Sequence, residues 1–423
     1  MPFTRSNKRE AQAGPTAWLV PICAAYVLLA GWYAHFIPFG QAPDESAHLL
    51  YVAHLAEHRT LPVFRPGGEG SYEFHHPPLY YVLALPAYLA GSGASRYQAV
   101  RWVNVVLGLG VIWATFALLR EVFPKRPSLA VASAALVAFL PMHIALCASV
   151  TNDILGEVIS AWTLVVCAQG IRRGWNARRA ALAGALVGLG WLTKSATAPL
   201  AAIGWLAIFL HHNRRQGPAW KPMLVNLCWF TGVAVLVGGW WLVRNQLLYG
   251  DPLAMRAFLA GFGKSPNPQY FFDRGIGLAG YMMLVAAWTF ASFWGVFGNM
   301  NVFMPIWSVY VPLAVVCAAS AAGVGKFLRG WRGLEISERQ MLLLLGFAGL
   351  VQVVAFVRFN MALFQAQARF LYPALPFWAM LLCLGLGEWA GKRRWVGEML
   401  PGGAALVLAV AAPWLWIMPK LGA

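Results

Sequence analysis

The sequence has 423 residues, of which 60% are hydrophobic and 11% are charged, and its mean hydropathy is +0.60. Soluble domains carry about 25% charged residues, so the composition excludes a water-soluble protein and makes lipid the solvent for most of the chain. The net charge of +17 does not indicate a nucleic-acid partner, because the basic residues form short clusters between apolar runs. Such clusters are typical of loops that face anionic membrane lipids.

The first apolar run, near residues 17–37, is long enough to cross a bilayer. Basic residues precede it, and it ends in the bulky Trp32, Tyr33 and Phe36 rather than in a small-residue cleavage site. We therefore predict an uncleaved first membrane helix that follows a cytoplasmic tail of residues 1–16.

Eleven apolar runs predict membrane-spanning helices. They lie near residues 17–37, 100–119, 128–148, 153–170, 180–193, 197–211, 223–243, 303–323, 341–358, 372–390 and 400–418. Two further runs, near residues 78–92 and 277–296, are ambiguous. The predicted fold is an all-α polytopic membrane protein with about 11 transmembrane helices (up to 13), in a single membrane domain over residues 17–418.

The positive charges predict the orientation of these helices. If both ambiguous runs lie along the outer surface or re-enter it, twenty of the 32 Lys and Arg residues fall on one side, which the positive-inside rule makes the cytoplasm. They are Arg5, Lys8, Arg9, Arg120, Lys125, Arg126, Arg172, Arg173, Arg178, Arg179, Arg214, Arg215, Lys221, Lys326, Arg329, Arg332, Arg339, Lys392, Arg393 and Arg394. The N-terminus is then inside, the C-terminus is outside, and residues 38–99 and 244–302 form two external segments.

The first external segment is unusually polar from "GQAPDESAHLLYVAH" onwards. Five of the 15 acidic residues and five of the nine histidines lie between residues 44 and 76. After Pro43 the spacing predicts a surface-lying amphipathic helix. One face of it carries Asp44, His48, Tyr51, Leu55 and His58. An alternative for Asp44 and Glu45 is that they only start this helix, by satisfying its free N–H groups and complementing its dipole.

The same segment continues through a bend to "HHPPLYY", where prolines start a second apolar helix. Glu45, Glu73, His75 and His76 could supply oxygen and nitrogen ligands to a metal, but no spacing requires it. The sequence therefore predicts no certain cofactor and leaves a divalent cation open.

Polar and ionisable residues also stand at the outward ends of later helices. They are Asn152 and Asp153 in "LCASVTNDILGE", Lys194 in "GWLTKSATAP", Arg244 in "GGWWLVRNQLLYGDPL", and Arg369 and Tyr372 in "NMALFQAQARFLYPALPF". Each alone is a routine cap or interfacial anchor. Ionisable groups at a membrane edge are costly, however, so their convergence on one face predicts a functional site.

Carboxylates and cations on one face suit the transfer of a sugar from a phosphate-linked lipid. A carboxylate can accept the proton of an attacking hydroxyl, and arginine or lysine can neutralise the departing phosphate. The chain has no P-loop and no dinucleotide-binding motif, so we expect the donor to arrive through the membrane.

The chain resembles the integral-membrane glycosyltransferases of the GT-C type, in particular the bacterial branch similar to the protein O-mannosyltransferase and aminoarabinose transferase families. The resemblance rests on an ordered series between about residues 17 and 390: "PDESAHLLYVAHLAEHRTLP", "HHPPLYYVLALPAY", "PMHIALCASVTND", "GLGWLTKSATAP", "WLVRNQLLYGDPL", "SFWGVFGNMN" and "QARFLYPALP". It implies two surface helices after the first membrane helix, a catalytic base in the pair Asp44 and Glu45, and a second acid at Asp153. "HHPPLYY" departs from the many relatives that have a lysine before the proline.

The predicted function is therefore an inverting glycosyltransferase that uses a polyprenyl-phosphate sugar donor and an unidentified acceptor. We expect it in the bacterial inner membrane, with its site facing the periplasm or the exterior. The predicted catalytic residues are Asp44, Glu45 and Asp153; the predicted donor-phosphate residues are Lys194, Arg244, Arg369 and Tyr372; and the predicted acceptor or sugar contacts are His48, Glu73, His75, His76 and Asn152.

Three alternatives stay open. A transporter or flippase for a lipid-linked or anionic solute would use groups within the membrane, for which Glu157 and the Gly/Pro-interrupted region 180–205 are candidates. A polymerase or ligase with a lipid diphosphate donor would be expected to show more outward arginines. A scaffold that has lost its activity would not need to keep Asp44, Asp153 and Arg369.

Overall fold

The computed structural model describes residues 14–213, 220–263 and 265–422. The α-helices in this part of the chain are α1 (Leu19–Phe36), α2 (Glu45–His58), α3 (Leu79–Ala90), α4 (Ser95–Val122), α5 (Pro127–Phe139), α6 (Pro141–Cys147), α7 (Asp153–Arg173), α8 (Ala177–Trp191), α9 (Leu200–His212), α10 (Trp220–Tyr249), α11 (Met255–Gly261), α12 (Pro268–Phe272), α13 (Leu278–Trp294), α14 (Val311–Arg329), α15 (Ile336–Asn360), α16 (Leu375–Ala390), α17 (Arg394–Ala412) and α18 (Met418–Leu421).

Shorter elements connect these helices. The strands β1 (Val296–Phe297) and β2 (Val302–Phe303) form a small antiparallel pair in which Val296 lies opposite Phe303. The 3₁₀ turns are Pro15–Trp18, Tyr72–His75, Ser195–Thr197, Trp331–Gly333, Ala368–Ala374 and Gly391–Arg393, and the π-helical turns are Ile306–Tyr310 and Pro413–Ile417.

Several helices are long and apolar enough to cross a membrane, which confirms the predicted all-α polytopic class. In the described ranges seven helical segments qualify, or eight if α5 and α6, bent by 60°, count as one span. They are Thr16–Phe36, Ser95–Val122, Asp153–Arg173, Trp220–Tyr249, Ile306–Arg329, Ile336–Asn360 and Ala368–Leu421. The number of about eleven spans stays a prediction, as do the tail of residues 1–16, most of which lies outside the described residues, and the membrane domain 17–418 with its external segments.

The two ambiguous runs form short helices. The first is α3, with 12 residues and Pro86 within it, and the second is α13, with 17 residues. Neither is among the seven segments that qualify as spans, but α13 is longer than α8 and α9, which the sequence predicted to span. The lengths of α3 and α13 therefore leave the orientation inferred from the positive charges a prediction.

Helix α7 lies at the centre of the bundle. It packs against α4, α8 and α9, and most of it is buried, whereas α10 and α14 expose large apolar side chains such as Leu236 and Val315. A helix that is apolar all round suits a core, and exposed apolar faces suit contact with lipid. Gly323 and Gly385 let α14 and α16 approach so closely that a Cβ on either would meet the backbone of the other helix, as is common between membrane helices.

Ion pairs bring several of the predicted cytoplasmic clusters to one end of the bundle. Arg126 lies 2.8 Å from Glu388 and 2.6 Å from Glu398, and Arg173 pairs with Glu121 at the end of α4. Arg5, Lys8, Arg9, Arg214 and Arg215 lie outside the described residues.

The opposite end of the bundle holds the polar residues singled out above. Asn104, in the first half of α4, donates to the carbonyl oxygens of Ser149 and Thr151 just before α7 begins. Since α7 has 21 residues and rises about 1.5 Å per residue, its first residue, Asp153, lies about 30 Å from the basic end.

Candidate active site

Four charged side chains from distant parts of the chain form a continuous series of ion pairs. Arg369 lies 2.5 Å from Oδ2 of Asp44 and 3.3 Å from Oδ2 of Asp153, and the ammonium group of Lys194 binds the other oxygen of Asp153. Two carboxylates and two cations make the series neutral, which is what burial demands of charged groups. The structure thus brings together four of the residues that the sequence predicted to converge.

Three breaks between helices place these residues. Asp153 is the first residue of α7, Lys194 precedes the short turn Ser195–Thr197 between α8 and α9, and Arg369 lies in the 3₁₀ turn Ala368–Ala374 before α16. Asn152 supports this arrangement, because its side-chain amide donates to the carbonyl of Thr193, next to Lys194.

Asp44 immediately precedes α2 in a left-handed conformation, with φ 62° and ψ 5°. Its side chain makes no capping hydrogen bond to α2, so the capping part of the helix-start alternative is wrong for Asp44. A non-glycine residue in this region costs about 1–2 kcal/mol. In return, the left-handed turn leaves the carboxylate free to reach Arg369.

Tyr72 completes the surroundings of Asp44 by donating its hydroxyl to Oδ1 at 2.8 Å. Burial alone would raise the pKa of Asp44, but the guanidinium of Arg369 and the hydrogen bonds lower it to about 2. The pKa of Tyr72 is raised by burial and by the neighbouring carboxylate, so this hydroxyl keeps its proton. The side chain of Asp44 is 31% exposed, against 4% for Asp153, and Asp44 is therefore the carboxylate of the two that an incoming molecule can reach.

Glu45, the other acid of the pair, is fully buried in an ion pair of its own. Its two oxygens accept from Nε and a terminal nitrogen of Arg101, both at 2.7 Å, and from the backbone N–H groups of Gly40 and Val150. Arg101 also donates to the carbonyls of Ala34 and Ile37. Every lone pair of Glu45 faces the protein, so the geometry suits a residue that ties α2, α4 and the end of α1 together rather than one that accepts a substrate proton.

The histidines and Glu73 form a second group beside the ion pairs. Nε2 of His76 lies 2.7 Å from Oε2 of Glu73, and Nδ1 of His48 lies 2.9 Å from the hydroxyl of Tyr81. Burial lowers the pKa of His48 to about 4 and those of His75 and His76 to about 3. At neutral pH these imidazoles are therefore uncharged. His58, predicted on the same helix face as His48, is exposed to solvent.

Two of the predicted donor-phosphate residues lie apart from the ion-pair series. Tyr372 is fully buried and donates its hydroxyl to the carbonyl of Phe293 at 2.8 Å. Arg244 donates to the carbonyl of Pro62 at 2.7 Å and stacks on Trp241. The hydroxyl proton of Tyr372 is therefore already used in a hydrogen bond within the protein. Arg244 forms no ion pair with a carboxylate among the described residues and can still bind an anion.

A cavity of about 260 Å³ opens beside Tyr72. The glycine-rich bend after α2 and the end of α11 form its walls, which consist of Phe64, Arg65, Gly67, Gly68, Glu69, Gly70, Ser71, Tyr72, Phe74, Gly261 and Phe262. Tyr72 both lines the cavity and donates to Asp44, so one residue of the cavity wall contacts the exposed carboxylate.

The sequence matches one protein-family model, and the fold is similar to those of solved membrane proteins. The family model for dolichyl-phosphate-mannose-protein mannosyltransferase matches residues 75–241. The fold is similar to that of ArnT from Cupriavidus metallidurans bound to undecaprenyl phosphate, with 17% identity and a TM-score of 0.60 over 94% of this chain and 65% of that one. It is also similar to the oligosaccharyltransferase of Archaeoglobus fulgidus tethered to an acceptor peptide, with 16% identity and a TM-score of 0.58 over 94% of this chain and 55% of that one.

The chain has the GT-C fold. This confirms the resemblance inferred from the ordered sequence motifs. The chain spans about 55 to 65% of the length of these two solved structures. At sequence identities of 16 and 17%, the similarity establishes the fold and nothing further. A search of curated protein sequences finds no match.

Within the GT-C fold, sequence reasoning missed three residues of the site region. Arg101 was detectable, because a lone arginine inside an apolar helix needs a partner. His143, 3.2 Å from Glu157 in the buried centre, carried a similar signal in "PMHIAL". Nothing in the sequence pointed to Tyr72, because its role depends on a hydrogen bond to Asp44 that only the folded chain forms.

Proposed function

We propose that the protein is an integral-membrane glycosyltransferase that moves a sugar from a polyprenyl-phosphate donor to an acceptor at the outer face of the membrane. The observation that carries the proposal is the bridge formed by Arg369 between Asp44, which is partly exposed, and Asp153, which is buried and also binds Lys194. It offers an accessible base next to two cations that can bind phosphate.

In the proposed reaction, Asp44 accepts the proton of the acceptor hydroxyl as its oxygen attacks the anomeric carbon. The new C–O bond forms while the bond from the anomeric carbon to the phosphate oxygen breaks, and its electron pair leaves with the phosphate. Attack opposite the leaving group inverts the anomeric centre. Arg369 and Lys194 stabilise the charge that develops on the departing phosphate.

Arg369 couples donor binding to the strength of the base. While it is paired with Asp44, the pKa of that carboxyl is about 2, which is too low for an effective base. Nε of Arg369 is buried and donates no hydrogen bond within the described residues, so its N–H is free to bind a phosphate oxygen once the guanidinium turns towards the donor. A phosphate that draws the guanidinium towards itself weakens the pairing with Asp44 and raises the pKa of its carboxyl.

Of the remaining predicted residues, Arg244 stays in the proposal as a third phosphate ligand, and Asn152 holds the turn that carries Lys194. We leave out Tyr372, whose hydroxyl is bonded to Phe293, and we assign Glu45 and Asp153 to structure and charge balance rather than to proton transfer. His75 and His76 line a cavity of about 20 Å³ with Lys194, beside the proposed phosphate site.

The names of the similar proteins support the choice of donor. The solved ArnT contains undecaprenyl phosphate, and the matching family model is named for dolichyl-phosphate-mannose; a polyprenyl phosphate is the chemistry they share. The cavity beside Tyr72 is the proposed acceptor entrance. Because the ion-pair series lies at the end opposite the basic clusters, we propose that it faces the periplasm or exterior of a bacterial inner membrane.

The direct test uses the purified protein in liposomes with a panel of polyprenyl-phosphate sugars and a membrane extract as the source of acceptors. Release of polyprenyl phosphate is measured by mass spectrometry, alongside surface glycans and glycolipids of cells with and without the protein. We expect sugar transfer from one donor class and the loss of one glycan. If no donor in the panel is consumed and the glycans are unchanged, the proposal is wrong.

A second function rests on the buried pair of His143 and Glu157, 3.2 Å apart on α6 and α7. Ionisable pairs within a membrane commonly serve transport, so a transporter or flippase of a lipid-linked or anionic solute is the alternative. The same liposomes distinguish the two functions, because a flippase moves the intact donor across the bilayer without releasing polyprenyl phosphate.

A further inference from the structure

Glu73, His75 and His76 converge in the short turn between α2 and α3. Each offers one ligand atom, and the three atoms lie within 4.8 Å of one another. A 3₁₀ turn has three residues per turn, which brings residues at i and i+3, here Glu73 and His76, to the same side. Ser71 fixes the turn by accepting from the N–H of Glu73 and donating to the carbonyl of Ala47 in α2.

The carboxylate of Glu73 has no compensating cation. Its side chain is 6% exposed, and no lysine or arginine among the described residues lies within 4 Å of it. Oε2 accepts no hydrogen bond even though Nε2 of His76 is 2.7 Å away, and Nδ1 of His76 is also without a partner. A buried carboxylate left in this state is costly.

Neighbouring charges do not compensate Glu73, because they pair with one another. Lys194 is bound to Asp153, and Arg369 is shared between Asp153 and Asp44. Glu73 therefore lies beside the two imidazoles without an ion pair to a lysine or arginine among the described residues.

His75 makes a hydrogen bond of the kind that metal-binding histidines commonly make. Its Nδ1 lies 2.7 Å from the carbonyl oxygen of Tyr72, to which it donates its proton. This leaves a lone pair on Nε2, and histidines that bind metals usually donate their other N–H to a carbonyl or a carboxylate in this way.

We propose that Glu73, His75 and His76 bind one divalent transition-metal ion, with Zn²⁺ as the best match. Two imidazoles and a carboxylate with a water as fourth ligand form a well-known tetrahedral zinc set, and imidazole favours Zn²⁺ over Mg²⁺ and Ca²⁺. Neighbouring ligand atoms in such a set are about 3.3 Å apart, so small rotations of the side chains suffice.

The ion would order the turn that carries Tyr72, and hence the hydrogen bond from Tyr72 to Asp44. It would also replace the direct contacts with acceptor or sugar that the sequence predicted for these three residues. Binding of the metal does not depend on the proposed transferase function.

The test uses the full-length protein, purified in detergent with a tag free of histidine, stripped with a chelator and desalted. Zn²⁺ is titrated against a chromophoric chelator, and the metal content is measured by mass spectrometry. We expect one Zn²⁺ per chain, higher thermal stability with Zn²⁺ than with Mg²⁺, and, with Co²⁺ as the probe, the visible absorption of a tetrahedral site.

Three variants, Glu73→Gln, His75→Gln and His76→Gln, should each weaken Zn²⁺ binding by at least about tenfold. His58→Gln, which changes an exposed histidine of α2, should leave it unchanged. The proposal fails if the wild-type protein binds no stoichiometric Zn²⁺, if the three variants still bind it normally, or if His58→Gln abolishes binding. Should a variant not fold, the wild-type titration and the Co²⁺ spectrum decide alone.

Discussion

Arg369 joins Asp44 to Asp153 although 325 and 216 residues separate it from them along the chain. Its two terminal nitrogens contact different carboxylates, one on the segment just before α2 and the other at the start of the central helix α7. The guanidinium therefore links the partly exposed Asp44 to the buried Asp153, and a change in how it is held would change the pKa of Asp44.

Replacing the proposed base should remove most of the activity. Asp44→Asn keeps the shape of the side chain and can still accept the hydrogen bond from Tyr72. Its amide, however, cannot accept the proton of an attacking hydroxyl. We expect kcat to fall by about 10²–10⁴-fold, measured as polyprenyl phosphate released per minute. The matched control is Glu57→Gln, an exposed acid on α2; a normal rate in Asp44→Asn would refute the assignment.

Loss of Arg369 should act on the donor. Arg369→Ala removes charge-assisted hydrogen bonds, each worth about 1.5–3 kcal/mol, so KM for the polyprenyl-phosphate donor should rise by about tenfold or more, while KM for the acceptor changes little. Initial rates with each substrate varied separately measure the two constants. Arg256→Ala, at an exposed site on α11, serves as the control. An unchanged KM for the donor would exclude Arg369 from the site.

The two kinetic constants should depend differently on pH. The acidic limb of kcat/KM reports the free enzyme, in which Arg369 holds the pKa of Asp44 at about 2, below its ordinary value of 3.8. The limb of kcat reports the donor complex, in which a phosphate shares Arg369 and the pKa of Asp44 is higher. We therefore expect the acidic limb of kcat at higher pH than that of kcat/KM. Coincident limbs would mean that donor binding leaves the pairing intact.

The same pairing makes stability dependent on acid. Because the pKa of Asp44 is lower in the folded protein than in the unfolded chain, its stabilising contribution is complete above about pH 4 and is lost as the pH falls towards about 2. Thermal unfolding of the wild-type protein and of Asp44→Asn, followed from pH 7 to pH 3, should give a difference that is constant at the upper end and shrinks below pH 4. A difference that changes mainly between pH 7 and pH 5 would point to another group.

Glu45 should prove essential for stability and dispensable for chemistry. Glu45→Gln leaves the buried guanidinium of Arg101 without its countercharge, which typically costs about 3–5 kcal/mol. We expect a clearly lower melting temperature in detergent, with kcat per folded molecule within a few-fold of the wild type. A loss of kcat as large as that of Asp44→Asn, in protein that melts normally, would instead give Glu45 a role in catalysis.

Accessible cysteines should report the orientation of the two external segments. In a background without the native cysteines, Ser95→Cys and Asp273→Cys should react with a membrane-impermeant maleimide in intact cells, since both positions are exposed. Lys392→Cys, at the basic end, should react only after the membrane is permeabilised. Protection of residues 95 and 273 in intact cells would overturn the predicted topology.

Much of the fold follows from local properties of the sequence. The length and hydropathy of each run determine whether it can cross a bilayer, and the ambiguous runs near 78–92 and 277–296 form the short helices α3 and α13. The cost of ionisable groups at a membrane edge predicts a site from the sequence alone that includes Asp44, Asp153, Lys194, Arg244 and Arg369.

Other features depend on long-range packing. Asp44 and Glu45 are adjacent and chemically alike, and helix-start chemistry gave both the same expected role. The left-handed backbone at Asp44 turns one carboxylate towards Arg369, while Arg101, 56 residues away from Glu45, takes up the other. Tyr372 was predicted to contact a phosphate from its place with Arg369 at the start of one helix, but in the 3₁₀ turn its hydroxyl donates to the carbonyl of Phe293.

The sequence by itself determined the solvent of this protein, its helical class and the set of charged residues at one face, because each of these depends on the composition of a single segment. Only the tertiary structure decided which carboxylate stays accessible and which residues bind one another. Those outcomes depend on distances between segments far apart in the chain. A shift of a few ångströms is enough to break an ion pair between two such segments.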